Sequence, residues 1–303
     1  MIKIEGVMTA MITPFTKGGD IYEEALRNMV DFQIEKGIGS LWINGTYGLG
    51  PMMAPEQRKK ATEIIVDEGK KNVPIISHVG TPDTQSAVKL ARHAEDVGAD
   101  GVGSITPYYY PYDEKAVLEY FRELVNAVNI PVFVYVNPFR TGFNVKPEFL
   151  LELSDIGVSG VKDSSFNLAQ FVEYLSKCYH KKGFLFIMGT ESLFFPALML
   201  GSRACISGAA NPFPEPNVEL YNAFRRKDYE RAAELQLLVS EIRRALHIGP
   251  GIPSCYEALK MRNIFDPGYP RRPMRSLTDE ENQRMKKRLE ELELLPSSSK
   301  HYY

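Results

Sequence analysis

Short apolar stretches of strand character alternate with longer helical stretches along most of the chain, and this alternation constrains the fold more than any other feature. A strand followed by a helix, repeated many times, is typical of a parallel sheet whose connecting helices cover its outer surface. Eight such units are visible, and their predicted strands are residues 6–12, 40–43, 73–77, 101–105, 131–135, 158–162, 184–188 and 204–207. The chain is therefore predicted to be an α/β protein.

The joints that lead from a helix into the next strand are alike. Lys36-Gly37-Ile38-Gly39-Ser40-Leu41 is repeated in form by Val97-Gly98-Ala99-Asp100-Gly101-Val102 and by Ile156-Gly157-Val158-Ser159-Gly160-Val161. In each joint a glycine ends the helix. Joints of one repeated kind favour a closed barrel over an open doubly wound sheet, and no G-x-G-x-x-G dinucleotide motif follows the first strand. We predict a (β/α)8 TIM barrel formed by residues 1–225.

The pattern changes after about residue 225, where the strand segments stop. Residues 228–247 have an amphipathic helical pattern with one apolar stripe. Two further helices are predicted, at residues 252–261 and from Thr278 to about residue 295, and the tail 296–303 is expected to fray. Residues 226–303 are therefore predicted to form a C-terminal helical extension that packs on the barrel.

Composition excludes several classes of partner. Hydrophobic residues make up 44% and charged residues 24% of the chain, which is usual for a soluble globular protein. The net charge of −2 gives no reason to expect a nucleic acid or an anionic membrane as a partner. No secretory signal and no apolar run of the roughly 20 residues needed to span a bilayer is visible. The three cysteines are odd in number, far apart and without the paired spacing of metal ligands, which indicates reduced cytosolic thiols, so we expect a cytoplasmic protein.

The sixth predicted strand ends in a lysine, Lys162, within Gly157-Val158-Ser159-Gly160-Val161-Lys162-Asp163. An ammonium group at the end of a buried strand loses hydration, and this loss disfavours its charged form. A neutral lysine amine attacks ketones, which is how Schiff-base enzymes begin. A lysine that only extends its charge to solvent from the strand end is the structural alternative.

Catalytic residues of (β/α)8 barrels lie at the C-terminal ends of the strands. In imine chemistry a lysine attacks the carbonyl, a tyrosine moves protons, and hydroxyl and backbone N–H groups hold a carboxylate. Such groups, with one arginine, follow the predicted strands: Thr46, Tyr108, Tyr109, Tyr110, Tyr135, Arg140, Gly189-Thr190-Glu191 and Ser207-Gly208. The strand ends therefore suit a Schiff-base enzyme. A phosphate site in the loop that begins at Gly189 is disfavoured, because no basic residue accompanies it in the sequence.

In order along the chain, these motifs resemble the dihydrodipicolinate synthase and N-acetylneuraminate lyase family of pyruvate-dependent class I aldolases. The resemblance covers nearly the full length and rests on Thr13-Pro14-Phe15, Gly45-Thr46-Tyr47-Gly48, Pro107-Tyr108-Tyr109, Tyr135, Lys162-Asp163 and Ser207-Gly208. It implies a (β/α)8 barrel with C-terminal helices, catalysis without a cofactor, and assembly as a homotetramer. The substrates that it implies are pyruvate and an aldehyde.

The resemblance also implies a catalytic role for each matching residue. Lys162 would form the Schiff base with pyruvate, and Tyr135 would carry protons to and from it. Thr46 would relay protons and, with the backbone of Tyr47, bind the pyruvate carboxylate. Tyr109 is similar to the tyrosine that a neighbouring subunit lends to this relay.

The remaining positions bear on the pocket and on substrate choice. Gly189 and Ile206 would line the pocket beside the lysine. Arg140, in Arg140-Thr141-Gly142, resembles the arginine with which dihydrodipicolinate synthases bind the carboxylate of aspartate semialdehyde. A guanidinium fork matches a carboxylate well, although Arg140 could instead be a structural ion-pair partner.

Two departures from the family pattern leave the aldehyde partner open. The second threonine of the family's G-T-T-G is Tyr47 here, and the glutamate that usually follows is Leu49. The segment Gly45-Thr46-Tyr47-Gly48-Leu49-Gly50-Pro51 is most similar to the archaeal 2-keto-3-deoxygluconate aldolases, which carry G-T-T-G-L-G-P. We therefore expect a lyase that forms or cleaves a 2-keto-3-deoxy sugar acid.

Several alternatives remain open. Dihydrodipicolinate synthase, acting on pyruvate and aspartate semialdehyde, is the second candidate, and N-acetylneuraminate lyase or a related hydratase-aldolase is the third. A non-catalytic binding barrel is the hypothesis from another class, which Tyr47 and Leu49 support and Lys162 and Tyr135 oppose. A zinc-dependent class II aldolase is disfavoured, because the five histidines are scattered without ligand spacing, so no metal is expected.

Overall fold

The computed structural model describes residues 3–70 and 72–295. Eight parallel strands form a closed barrel in which each strand pairs with its sequence neighbours and the first pairs with the eighth. The predicted (β/α)8 TIM barrel is confirmed, and the predicted strand ends differ from the observed ones by at most two residues. The strands are β1 (Gly6–Ala10), β2 (Ser40–Ile43), β3 (Ile75–His78), β4 (Gly101–Ile105), β5 (Val132–Val136), β6 (Gly160–Asp163), β7 (Leu185–Met188) and β8 (Ala204–Ser207).

Helices follow the strands on the outside of the barrel. Three of the helices begin with residues that favour a first turn. Asp83 and Asp113 accept hydrogen bonds from backbone N–H groups of the first turn, both at 2.8 Å, and Pro55 is the first residue of its helix. The helices of the barrel are α1 (Glu23–Glu35), α2 (Pro55–Gly69), α3 (Thr84–Asp96), α4 (Glu114–Ala127), α5 (Pro138–Thr141), α6 (Pro147–Asp155), α7 (Leu168–Cys178), α8 (Phe194–Met199) and α9 (Pro214–Arg225). The single-turn helix α5 was not predicted.

The repeated glycine joints have the backbone that the sequence pattern predicted. Gly37, Gly98 and Gly157 have φ angles of 77°, 91° and 107°. This left-handed region is easily reached only by glycine, and it ends a helix by turning the chain towards the next strand. These joints therefore end the helices that precede β2, β4 and β6.

Buried apolar side chains form two clusters, one on each side of the strands. The outer cluster lies between the strands and the helices and includes Val161. The inner cluster fills the barrel and consists of Ile4, Met8, Ala10, Trp42, Ile76, Ile105, Phe133, Tyr135, Leu185, Ile187, Ala204 and Ile206. Successive side chains of a strand point to opposite faces. Lys162, which follows Val161, therefore faces the barrel interior at the C-terminal end of β6.

Three helices follow the barrel: α10 (Tyr229–Leu246), α11 (Gly251–Met261) and α12 (Asp279–Glu291). Helix α10 packs on α9 and on the short 3-10 turn Glu191–Leu193 that follows β7. Residues of α10 and α11 thus lie at the same end of the barrel as Lys162. The boundary between residues 225 and 226 stays a prediction, and the tail 296–303 lies outside the described residues. Across the described parts of the chain, no helix is long and apolar enough to span a membrane.

Candidate active site

Lys162 is buried, with 3% of its surface exposed, and its amine lies against two aromatic rings. The Nζ atom is 3.6 Å from the centre of the Tyr135 ring and 4.6 Å from the centre of the Trp42 ring. Burial lowers the pKa of Lys162, while Tyr135 opposes part of this shift. The structure therefore favours the neutral amine more than water does. The alternative of a lysine that extends into solvent is wrong.

Tyr135 is on the neighbouring strand, where β5 pairs it with Lys162. Its hydroxyl is 3.3 Å from Oγ1 of Thr46 and accepts a hydrogen bond from Nδ2 of Asn137 at 2.9 Å. Burial by itself raises the pKa of Tyr135, but the charge of Lys162 and the hydrogen bonds outweigh it, so the pKa is lowered. A tyrosine whose proton is held less tightly than usual, beside an amine, is suited to proton transfer.

The loop after β2 holds Thr46 in place by local hydrogen bonds. Oγ1 of Thr13 donates to the carbonyl of Gly48 at 2.8 Å, and the amide of Asn44, which has a φ of 57°, donates to Oγ1 of Thr62 at 2.8 Å. Within residues 3–70 and 72–295, no acceptor pairs with the backbone N–H groups of Thr46 or Tyr47. The loop therefore presents a hydroxyl and two free N–H groups.

The ring of Tyr47 packs directly against Gly208, where a residue larger than glycine would clash with it. A Cβ atom at Gly208 would lie 2.2 Å from Cζ of Tyr47, so glycine is required opposite the ring. Leu49, the other departure from the family pattern, is 2% exposed and belongs to the outer apolar cluster. Both substitutions are accommodated by packing, and neither displaces Thr46 from Tyr135.

A cavity of about 540 Å³ opens at this end of the barrel. It brings together seven of the eight residues that the sequence proposed for the site. These are Thr46, Tyr47, Tyr135, Arg140, Lys162, Gly189 and Ile206. The eighth, Tyr109, does not line the cavity. Gly189 is needed there, because a Cβ atom would lie 2.1 Å from Oγ of Ser164.

Tyr109 lies apart from the cavity. It is 84% exposed, has a φ of 80°, and packs edge-to-face on Tyr110 with ring centres 5.0 Å apart. Positive φ is unusual for an aromatic residue and costs conformational energy. Tyr108, by contrast, lines a second cavity of about 230 Å³ that also contacts Thr46, His78 and Arg140.

The C-terminal extension adds charged residues to the cavity that the sequence analysis missed. Arg243, on α10, lies with Nε 3.5 Å from the carboxylate of Glu191, and its guanidinium is 5.2 Å from the Phe166 ring centre. Arg275 also lines the cavity. The mouth therefore holds three arginines where the sequence suggested one. Arg243 is also a basic residue beside the loop that begins at Gly189, contrary to the expectation from sequence.

A buried arginine supports the neighbouring strand end. Arg58, on α2, donates from Nη1 to the carbonyl of Gly80 at 3.0 Å, and burial lowers its pKa to about 10. His78, at the end of β3, lies edge-on to Tyr135 with ring centres 6.0 Å apart. Burial, Arg58 and Lys162 all lower the pKa of His78, so its ring is neutral. Nε2 of His78 accepts a hydrogen bond from the backbone N–H of Ile105 at 3.2 Å, so the ring is held as part of the site wall.

The fold and the site together define the class. A (β/α)8 barrel with a buried lysine amine at the end of its sixth strand, beside a tyrosine from the fifth, is the architecture of the class I aldolases. The model of the dihydrodipicolinate synthetase family matches residues 3–292, and the chain belongs to that family. Members of this family are pyruvate-dependent lyases.

Individual relatives agree over most of their lengths. A DapA-like lyase of Halobacterium salinarum is 36% identical over 96% of this chain and 95% of its own. The 4-hydroxy-tetrahydrodipicolinate synthase of Bartonella bacilliformis is 34% identical over 82% of this chain and 84% of its own. A variant of the 2-keto-3-deoxygluconate aldolase of Sulfolobus solfataricus is 31% identical in structure-based comparison, with a TM-score of 0.88 over 96% of this chain and 100% of its own.

Proposed function

We propose that the protein is a class I lyase that binds pyruvate as a Schiff base on Lys162 and forms or cleaves a 2-keto-3-deoxy sugar acid. The observation that carries the proposal is the contact between the buried amine of Lys162 and the ring of Tyr135. The hydroxyl of Tyr135 in turn contacts Oγ1 of Thr46. An amine, a proton carrier and a hydroxyl relay are the three groups that imine formation requires.

The steps follow from the chemistry of a primary amine. The neutral Nζ of Lys162 attacks the ketone carbon of pyruvate, and the resulting carbinolamine loses water to give an imine. Tyr135 supplies the proton that the leaving hydroxide needs, and then removes one from the methyl carbon to give an enamine. The enamine carbon bonds to the aldehyde, whose oxygen takes a proton, and water then releases the product from the lysine. Cleavage is the same sequence reversed.

The loop after β2 is suited to hold the carboxylate of pyruvate. The hydroxyl of Thr46 and the free backbone N–H groups of Thr46 and Tyr47 are donors available to an anionic oxygen. Hydrogen bonds from neutral donors to a carboxylate are stronger than those to neutral acceptors. Binding there would orient the ketone towards Lys162.

Tyr109 is suited to a contact between subunits. An exposed tyrosine with a strained backbone persists only where something compensates for it. The second cavity, about 230 Å³ in volume, borders Thr46 and has apolar walls that suit an aromatic ring. We infer that Tyr109 of one subunit enters this cavity of a neighbour in a homotetramer and reaches Thr46 there.

The choice of aldehyde rests on two groups of observations. The loop sequence from Gly45 to Pro51 and the 31% identical Sulfolobus structure favour a sugar-acid aldolase. Arg140, which lines both cavities, and the named synthase relatives favour aspartate semialdehyde as the second candidate. The two candidates differ in whether the aldehyde partner carries a carboxylate for Arg140 to bind.

The test is to compare two reactions on one preparation. Cleavage of 2-keto-3-deoxygluconate is followed by pyruvate release, and condensation of pyruvate with aspartate semialdehyde is followed by pyruvate consumption. We expect the first reaction to have the larger kcat/KM and Lys162→Met to abolish both. Condensation without sugar-acid cleavage would overturn the first choice in favour of the synthase.

A further inference from the structure

A second anionic-ligand site is suggested by a basic cleft beside the mouth of the barrel. The cleft has a volume of about 470 Å³, and its lining includes four cationic side chains and no carboxylate: Lys17, Arg271, Arg272 and Arg275. Its walls are the turn at residues 16–20 and the segment at residues 269–276. Arg275 and Met274 line both this cleft and the central cavity, so the two are adjacent.

The walls of the cleft are held together by backbone pairing. The N–H of Phe15 donates to the carbonyl of Tyr269 at 3.2 Å, and the N–H of Tyr269 donates to the carbonyl of Phe15 at 2.9 Å. Gly268 is required beside this bridge, because its φ is 68° and a Cβ atom would lie 2.5 Å from the carbonyl oxygen of Phe15. The two walls are therefore fixed relative to each other near one end of the cleft.

Two of the four cations are held by neighbours. Arg271 donates to Oε1 of Gln57 at 2.6 Å, and its guanidinium is 5.7 Å from the Phe15 ring centre. Arg275 makes two hydrogen bonds to Glu281, both at 2.7 Å. Neither arrangement uses all five N–H donors of the guanidinium. Both side chains are thus positioned with donors to spare.

The other two cations have no partner in the described parts of the chain. Lys17 and Arg272 make no hydrogen bond, ion pair or ring contact there, and both are exposed. Like charges gathered in a cleft repel one another, and a bound anion relieves that repulsion. The nearest acid of the turn, Asp20, does not line the cleft.

We propose that this cleft binds a small polyanion, a metabolite that carries two or more phosphate or carboxylate groups. Arginine forks match both groups, and a ligand with two anionic ends can contact Lys17 on one wall and Arg272 on the other. Because Met274 and Arg275 also border the central cavity, the ligand would fix the rim of that cavity from outside. Binding in the cleft does not depend on the proposed lyase activity.

The experiment measures binding to the full chain by titration calorimetry at low salt, with inorganic pyrophosphate and with citrate as probes. A preference for one probe distinguishes a phosphate ligand from a carboxylate ligand. We expect Lys17→Ala/Arg272→Ala to weaken binding at least about fivefold, since each exposed charged contact contributes modestly. The matched control is Lys89→Ala/Arg92→Ala, which removes the same charge from an exposed and unpaired lysine and arginine elsewhere on the described surface and should bind as the wild type does.

Arg140→Ala distinguishes the cleft from the central cavity. Equal weakening in the cleft variant and its control, or weakening in Arg140→Ala alone, would overturn the proposal, and so would the absence of binding by either probe. Hydrogen exchange is the second readout. Pyrophosphate or citrate should slow exchange in residues 268–276 of the wild type and leave it unchanged in Lys17→Ala/Arg272→Ala.

Discussion

The floor and the rim of the central cavity are built differently. On the floor, Lys162 and Tyr135 are at most 3% exposed, and each has partners on neighbouring strands. On the rim, Phe139 is 75% exposed and Phe166 is 49% exposed, while Arg140 is exposed on a helix of one turn. The floor is preorganised for one chemical step, whereas the rim has the freedom to differ between related enzymes. We therefore propose that imine chemistry takes place at the floor and that the rim determines the choice of aldehyde.

The sharpest test of this division changes the floor without changing its shape. Tyr135→Phe removes the hydroxyl and keeps the ring against Lys162. We expect kcat to fall by about 10²- to 10⁴-fold, the usual contribution of a positioned acid or base. Steady-state kinetics measures this, and the thermal midpoint of the variant serves as the control for folding. A rise in KM with kcat unchanged would mean that Tyr135 contributes to substrate binding and not to the chemical step.

A rim substitution should instead change the preference among aldehydes. Arg140→Ala should lower kcat/KM for an aldehyde with a carboxylate by about 10- to 100-fold, because it removes a charged hydrogen bond. The same variant should change kcat/KM for glyceraldehyde far less. Comparing the two aldehydes on one enzyme preparation measures the difference. Equal losses with both aldehydes would mean that Arg140 supports the structure of the mouth.

Packing in the wall of the cavity, where Gly208 faces Tyr47, gives a prediction for stability. Gly208→Ala places a methyl group 2.2 Å from the Tyr47 ring, so the ring or the loop must move. We expect a loss of about 1–3 kcal/mol in the free energy of unfolding, as for other overpacked cores. Chemical denaturation measures this loss. The double variant Gly208→Ala/Tyr47→Thr should recover most of the stability, and a double variant as unstable as the single one would contradict the explanation.

The smallest expected effect is a shift in pH dependence. Because burial lowers the pKa of Lys162, its neutral amine is available at a lower pH than that of a free lysine. The rate of adduct formation with pyruvate should rise with pH through this lowered pKa and level off above it. Single-turnover trapping across a pH series measures the midpoint. A midpoint at the ordinary lysine value would show that burial does not activate the amine.

The sequence predicted the floor because its residues end strands. The ends of β2, β5 and β6 point to one mouth in any (β/α)8 barrel, so Thr46, Tyr135 and Lys162 could be brought together from strand positions alone. Arg243 could not be placed in this way. It lies on α10, more than fifty residues of chain beyond Glu191, and only tertiary packing brings the two together. The bridge from Phe15 to Tyr269 was hidden for the same reason.

The central claim is tested most directly by reducing the protein with borohydride in the presence of pyruvate, followed by intact and peptide mass spectrometry. The account predicts one stable adduct per chain, located on Lys162 and absent from Lys162→Met. The matched control is Lys89→Met, which should be modified as fully as the wild type. No adduct, or an adduct on another lysine, would contradict the account and favour a non-catalytic barrel or unrelated chemistry.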